Sequence, residues 1–406
     1  MNDLAGAPAT SQPDDGPASD AAATSLASAR ALIPLLRSAA GRIDATCELP
    51  SDVLEAMHAA RLFKLLLPRS YGGLELKPVE YIQCVEAIAE GDASAAWCMN
   101  QGSGCTMAAA YVAPDIAREV FGGKTDVLAW GQGPGAKAVR VDGGWRVTGS
   151  WTFASGSRHA TWLGAMCPGF QADGTPIRHP DGRTWERTHL FRREKARIRD
   201  DWQVMGLRGT GSDTYIIEGL FIDDAHSLTR ELPAERRETG SLYRFQSMQL
   251  YAAGFASVGL GVARAMLDEF IELAKSKSQA WSTEKMRDNQ VVQSLIGYSD
   301  ASWRAARAAL HQAVIAAWDD VVATGELSLE HKIRIREAAT FAIHASRDLC
   351  HHVFHEAGST AIFDKHPFER RLRDMNSVSQ QTQGRRTHFE TIGTWLLGGE
   401  PDTRWL

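Results

Sequence analysis

Three long Ala-rich segments with helical periodicity, 255–274, 291–322 and 329–357, fill much of the last third of this 406-residue chain. Helices of that length with wide apolar faces must bury them against one another, and an antiparallel bundle does so. Helical periodicity also governs residues 25–127. Leu26, Ala29, Ile33, Leu36 and Ile43 recur at three-, four- or seven-residue steps. Pro50-Ser51-Asp52 opens a helix carrying Val53, Leu54, Met57 and Leu62, and after the loop Pro68-Arg69-Ser70-Tyr71-Gly72-Gly73 a further helix is predicted around 79–88. Between these regions the texture changes. Ala138 to Val141, the turn Asp142-Gly143-Gly144 and Trp145 to Thr148 read as a hairpin, and Thr214–Ile217 followed by Leu220–Ile222 is strand-rich.

The chain is therefore predicted to be α+β: an N-terminal helical domain over 25–127, a central small β domain or barrel over 128–225, and a C-terminal four-helix bundle over 226–406. Residues 1–24, mostly Ala, Pro, Asp, Ser and Gly, are expected to form a disordered leader with neither the basic nor the apolar region of a signal peptide. A net charge of −5 without a basic tract gives no footprint for nucleic acid or an anionic membrane. No apolar run reaches the ~18–20 residues that span a bilayer. The six cysteines include no C-x-x-C pair and read as reduced, mostly buried thiols of a cytoplasmic protein.

Four motifs in order give the pattern a family resemblance. Pro68-Arg69-Ser70-Tyr71-Gly72-Gly73 resembles the P-x-x-Y-G-G loop of the acyl-CoA dehydrogenase family. Residues 144–156, Gly-Trp-Arg-Val-Thr-Gly-Ser-Trp-Thr-Phe-Ala-Ser-Gly, are similar to its mid-domain signature, and residues 202–212, Trp-Gln-Val-Met-Gly-Leu-Arg-Gly-Thr-Gly-Ser, to its W-x-x-x-G-x-R-x-[ST] stretch. Arg373-Asp374 matches its C-terminal R-D pair. Dehydrogenases of the family usually carry Lys where Trp151 stands and lack the Gly-Thr-Gly-Ser run, so the likeness leans to the flavin hydroxylases. That resemblance implies reduced FMN or FAD delivered by a separate flavin reductase, O2 and a small apolar or aromatic substrate, and a homotetramer built through the bundle.

It also implies site residues, each with a plainer reading beside it. Ser155 would contact flavin near N5, though Ala-Ser-Gly-Ser is equally good turn chemistry. Trp130, Gly131 and Gln132 would line the flavin with backbone amides, since closely spaced glycines permit close approach. Arg208 and Ser212 would hold a phosphate or ribityl chain, or else Arg208 is a salt-bridged turn arginine. Trp97, Asn100, Trp151 and Trp162 form a candidate substrate pocket, with core packing as the alternative. His159, four residues after Ser155, is a candidate donor. His351, His352 and His355 share a helix face but lack accompanying ligands, so no metal is expected.

The C-terminal region departs from the family. No carboxylate stands near Thr382, where many dehydrogenases place their base, and Glu390 lies about two turns too far along. Hydroxylases usually carry histidine at Gln381, and a glutamine cannot exchange a proton near neutral pH. Gln381 thus stands at the family's catalytic position without a base, and the resemblance implies either a substrate that needs none there or recruitment of His388 or His159 as the catalytic group. An acyl-CoA dehydrogenase and a catalytically silent paralogue remain the alternatives.

Overall fold

The computed structural model describes residues 16–179, 182–230, 232–278, 283–404 and 406. Six helices come first: α1 (Gly16–Ala31), α2 (Ile33–Thr46), α3 (Ser51–Ala59), α4 (Pro78–Gly91), α5 (Ala93–Cys105) and α6 (Pro114–Phe121). Helix α1 begins inside the segment expected to be a leader, so its part from Gly16 onward is helical; residues 1–15 lie outside the described residues. Pro34 in the first turn of α2 cannot continue α1, which separates two helices that share one periodicity. Helix α5 starts where the Asp92 carboxylate accepts from the Ala95 N–H at 2.9 Å.

Eight strands follow: β1 (Leu128–Trp130), β2 (Lys137–Val141), β3 (Gly144–Trp151), β4 (Trp162–Phe170), β5 (Glu186–Arg192), β6 (Arg197–Arg199), β7 (Thr214–Asp223) and β8 (Ser227–Leu228). Their order is β6-β7-β3-β2-β4-β5-β8, with β1 parallel to β4. The order has two unpaired ends, so among the described residues this is an open mixed sheet and not a closed barrel. The β2–β3 hairpin pairs Lys137 with Thr148 and turns through Gly143, whose φ of 71° favours glycine. The two expected strand pieces between Thr214 and Ile222 are one strand, β7, whose register against β3 shifts between Val147 and Gly149.

The chain ends in α7 (Ser247–Ser276), α8 (Gln290–Thr324), α9 (Leu329–Ala357), α10 (Phe368–Gln380) and α11 (Thr387–Leu396). Helices α7 to α10 pack as the four-helix bundle, and α7 also packs against α4 and α5. Helix α7 is long and apolar enough to cross a membrane, but 94% of its most apolar window is buried by the protein itself, which marks it as the central core helix. One apolar core joins the N-terminal helices to the bundle, and a second fills the sheet around Trp145, Val147, Trp151 and Tyr215. All six cysteines are free, and all but Cys47 are buried.

Candidate functional site

Two irregular loops meet at the seam between the sheet and the helices. One follows β3 through Phe153 and Gly156, the other precedes β7 through Leu207 and Gly211, and these four residues have φ of 56°, 81°, 54° and 47°. Non-glycine residues in that region cost energy and need support from their surroundings. Here the loops support each other. The Gly156 N–H donates to Thr210 O at 2.8 Å, Ser157 Oγ donates to Gly211 O at 3.1 Å, and Arg158 pairs with buried Asp213 at 2.7 Å.

Between the loops runs a chain of buried hydroxyls. Trp97 Nε1 donates to Ser155 Oγ at 3.0 Å; Ser155 Oγ and Ser212 Oγ are 2.7 Å apart, as are Ser212 Oγ and Thr210 Oγ1; Thr210 Oγ1 donates to Leu207 O at 2.8 Å. Ser155, Thr210 and Ser212 are each less than 10% exposed. Trp97 belongs to a row of rings: its indole lies 4.0 Å from the Phe255 ring, which stacks at 5.8 Å on Tyr251 one turn back along α7. Asn100, one turn beyond Trp97 on α5, is fully buried. Its Oδ1 accepts from Tyr81 Oη, and its Nδ2 has no partner among the described residues.

The remaining residues singled out by sequence fall elsewhere. Trp151 is no pocket wall: it is fully buried, donates to Met166 O at 3.0 Å and stacks on Tyr215 at 5.3 Å, because the alternation of β3 points it into the sheet core. Trp162 stacks on His226 on the β4 side. Arg208 is a bracing arginine. Its Nε donates to Asp44 O at 2.9 Å and its Nη1 to Val204 O at 3.1 Å, with the Asp44 carboxylate 3.7 Å away, so its guanidinium ties this loop to α2. Ser212 belongs to the hydroxyl chain. The Gln132 N–H and C=O pair with Thr152, and a Cβ at Gly131 would stand 2.3 Å from Thr152 O, so these glycine-loop positions are shaped first by close packing on the strand end. Trp130 is half-buried under the Arg230 guanidinium at 4.6 Å.

The other catalytic candidates are His159, His388 and Gln381. Burial, with His58 and Arg193 nearby, pushes His159 down to about 3, and its Nε2 is buried without a partner among the described residues. Burial, then the Arg336 charge, lowers His388, whose Nε2 donates to Thr382 O at 2.8 Å beside a polar hollow lined by Arg385, Glu390 and Asp402. Gln381 ends α10 and caps the short turn 382–384, its Oε1 accepting from the Gln383 N–H at 2.9 Å, and its Nε2 is buried without a partner among the described residues. Neither Gln381 nor His388 touches Ser155 among the described contacts.

Sequence reading missed Phe255, Tyr251 and the role of Thr210. The Phe255/Tyr251 spacing of four on an apolar helix was a signal, but one shared by every core helix. The exposed Phe153, which meets Trp202 edge-on at 5.8 Å, was also missed; only its positive φ distinguishes it.

Helices, an open mixed sheet and a helical bundle, with a loop seam between them, define a protein of the acyl-CoA dehydrogenase type. Family models agree at both ends: the acyl-CoA dehydrogenase N-terminal domain matches residues 29–118 and the C-terminal domain residues 253–383. The chain belongs to the acyl-CoA dehydrogenase family. Indole-3-acetate monooxygenase of Pseudomonas putida is 28% identical over 94% of this chain and 97% of its own length. The oxygenase subunit HsaA of a flavin-dependent monooxygenase from Rhodococcus jostii is 28% identical over 86% of this chain and 91% of its own. Among solved structures, XiaF from Streptomyces sp. in complex with FADH2 and glycerol superposes with a TM-score of 0.88 at 22% identity, covering 96% of this chain and 98% of that one.

Proposed function

We propose that this protein is the oxygenase component of a two-component flavin-dependent monooxygenase. A separate reductase supplies reduced FMN or FAD, and the enzyme places one atom of O2 in an aromatic substrate while the other leaves as water and the flavin is oxidised. The observation that carries this reading is the buried Ser155 hydroxyl joined to the Trp97–Phe255–Tyr251 row. It offers a polar contact for a flavin edge next to a wall suited to a flat apolar ring. The unpartnered Asn100 Nδ2, on the same helix as Trp97, adds a buried donor that lacks an acceptor. These residues fit a flavin. When bound, it supplies the two electrons that activate oxygen. Ser155 orients the ring edge, and the aromatic row excludes water and seats the substrate.

Many dehydrogenases of the family place a carboxylate base after the R-D pair, others on an earlier helix; residues 375–389 contain neither Asp nor Glu, which counts against the dehydrogenase alternative. Names among the relatives, indole-3-acetate and resorcinol among them, support an aromatic substrate class. Exposed apolar side chains on α8 and α9, including Val291, Tyr298, Val322 and Phe341, support assembly through the bundle as a homotetramer. We place the protein in the cytoplasm, where reduced flavin is made. The test is to mix the protein anaerobically with chemically reduced FMN or FAD, admit oxygen, and follow flavin absorbance and hydrogen peroxide. The expected result is delayed flavin reoxidation with little peroxide. Reoxidation at the rate of free flavin would defeat the reading.

A further inference from the structure

We propose that Thr210 and Ser212 are positioning residues that fix the direction of the Ser155 hydroxyl, so that the site distinguishes reduced from oxidised flavin. The proposal rests on the reading above, in which Ser155 faces flavin N5.

The direction follows from counting protons. An indole N–H can only donate, so Trp97 Nε1 obliges Ser155 Oγ to accept at 3.0 Å. A carbonyl can only accept, so Leu207 O takes the single proton of Thr210 at 2.8 Å; Trp202 Nε1 donates to the same oxygen at 3.1 Å. With its own proton on Leu207 O, Thr210 Oγ1 can only accept from Ser212 across 2.7 Å. Ser212 therefore accepts from Ser155 across 2.7 Å. Three hydroxyls with one proton each stand between ends of fixed role, and only this arrangement satisfies all four bonds. Reversing one hydroxyl sets two protons or two lone pairs face to face. Burial of all three keeps water from relieving that conflict.

The consequence reaches the cofactor. The Ser155 proton is held by Ser212 and one of its lone pairs by Trp97, so what remains is a single lone pair. Reduced flavin carries hydrogen on N5 and can donate to it. Oxidised flavin presents a lone pair at N5, which meets the lone pair of Ser155. The hydroxyl chain thus favours the state that arrives from the reductase and disfavours the state that must leave. A lone serine, free to rotate, would serve both alike.

The experiment is an anaerobic titration of the full-length protein with oxidised FMN and with dithionite-reduced FMN, read by flavin or tryptophan fluorescence. Wild type should bind reduced FMN at least tenfold more tightly. Ser212→Ala leaves the Ser155 proton without its acceptor, so it can turn to N5, and Kd(oxidised)/Kd(reduced) should fall about tenfold. For two electrons, that is a fall of about 30 mV in the midpoint potential of bound FMN. Ser212→Thr should restore the ratio. Thr210→Val should lower it and Thr210→Ser keep it, which covers the case in which one variant fails to fold. In a Ser155→Ala background, Ser212→Ala should change nothing. If Ser212→Ala and Thr210→Val leave the ratio within twofold while Ser155→Ala shifts it, the hydroxyl chain does not set the direction, although the flavin contact stands. If Ser155→Ala also leaves it unmoved, or wild type does not bind reduced FMN, the underlying reading is lost as well.

Discussion

The Leu207 N–H donates to Asp374 Oδ1 across 2.7 Å, fastening the loop before β7 to helix α10 through a carboxyl that is 4% exposed. Gly206 makes the approach possible, since a Cβ there would lie 2.2 Å from Arg373 O. Burial, with Asp92 nearby, raises Asp374 to about 7.

A carboxyl raised in the folded state is bound to its proton more tightly there than in the unfolded chain. Its contribution is therefore greatest below the unfolded value near 3.8 and declines as pH rises toward 7, by roughly 4 kcal/mol over the whole interval. Asp374→Asn keeps the acceptor for Leu207 but cannot ionise. The variant should match wild type in thermal stability near pH 4 and exceed it at pH 8, the gap opening between those values. Parallel curves at both pH values would show that Asp374 ionises without cost.

Ser155→Ala should fold normally and lose its contact with N5. A hydrogen bond of this kind is worth roughly 1–3 kcal/mol. Hydrogen peroxide released per O2 consumed should rise about tenfold, since each ~1.4 kcal/mol is a factor of ten. Unchanged coupling of oxygen use to product would return Ser155 to the status of a turn residue.

Two tryptophans separate site from core. Trp97→Phe removes the donor to Ser155 and should lower product coupling at a stability cost near 1 kcal/mol. Trp151→Ala, by contrast, empties the sheet core and should cost about 3–5 kcal/mol, while folded protein retains its affinity for reduced flavin. Equal effects of the two on flavin affinity would undo the assignment of Trp151 to the core.

With His159 at about 3 and His388 lowered by burial, both imidazoles are neutral above pH 6.5. The rate of substrate oxidation should show no imidazole limb between pH 6.5 and 8. If Gln381 faces the reacting groups, Gln381→His should introduce one near pH 6–7. A limb already present in wild type would point to a further titrating group.

The sequence made the three-part architecture legible because each part depends on a local period. The long helices α7, α8 and α9 and the β2–β3 hairpin needed nothing more. What stayed hidden depends on contacts between distant residues. Trp151 stands four positions before Ser155 and looks like its neighbour in the site, yet strand alternation turns it into the sheet core. Arg208 sits in the same motif as Ser212 but reaches Asp44, 164 residues earlier. Thr210 and Ser212 resemble turn residues until the loop after β3 is laid against them. Helix α5 passed unnoticed because its small and polar residues, Ala95, Ser103 and Gly104 among them, are buried on most sides and show no amphipathic stripe.

The burial of the cysteines has a consequence for an enzyme that handles oxygen. Cys84, Cys105, Cys167 and Cys350 are each pushed up to about 12 by burial, and Cys98 higher still. Peroxide oxidises the thiolate, and a thiol at 12 is ionised in only about one molecule in 100,000 at pH 7. Each uncoupled turnover would release an oxidant inside a molecule whose thiols are almost all in their inert form. Cys47, half-buried at the end of α2, is the one cysteine that the fold does not bury. Mass spectrometry after exposure to millimolar peroxide should find sulfenic or sulfonic acid at Cys47 well before any other cysteine. Wear from the enzyme's own chemistry would then fall on one replaceable position, leaving the packed interior untouched.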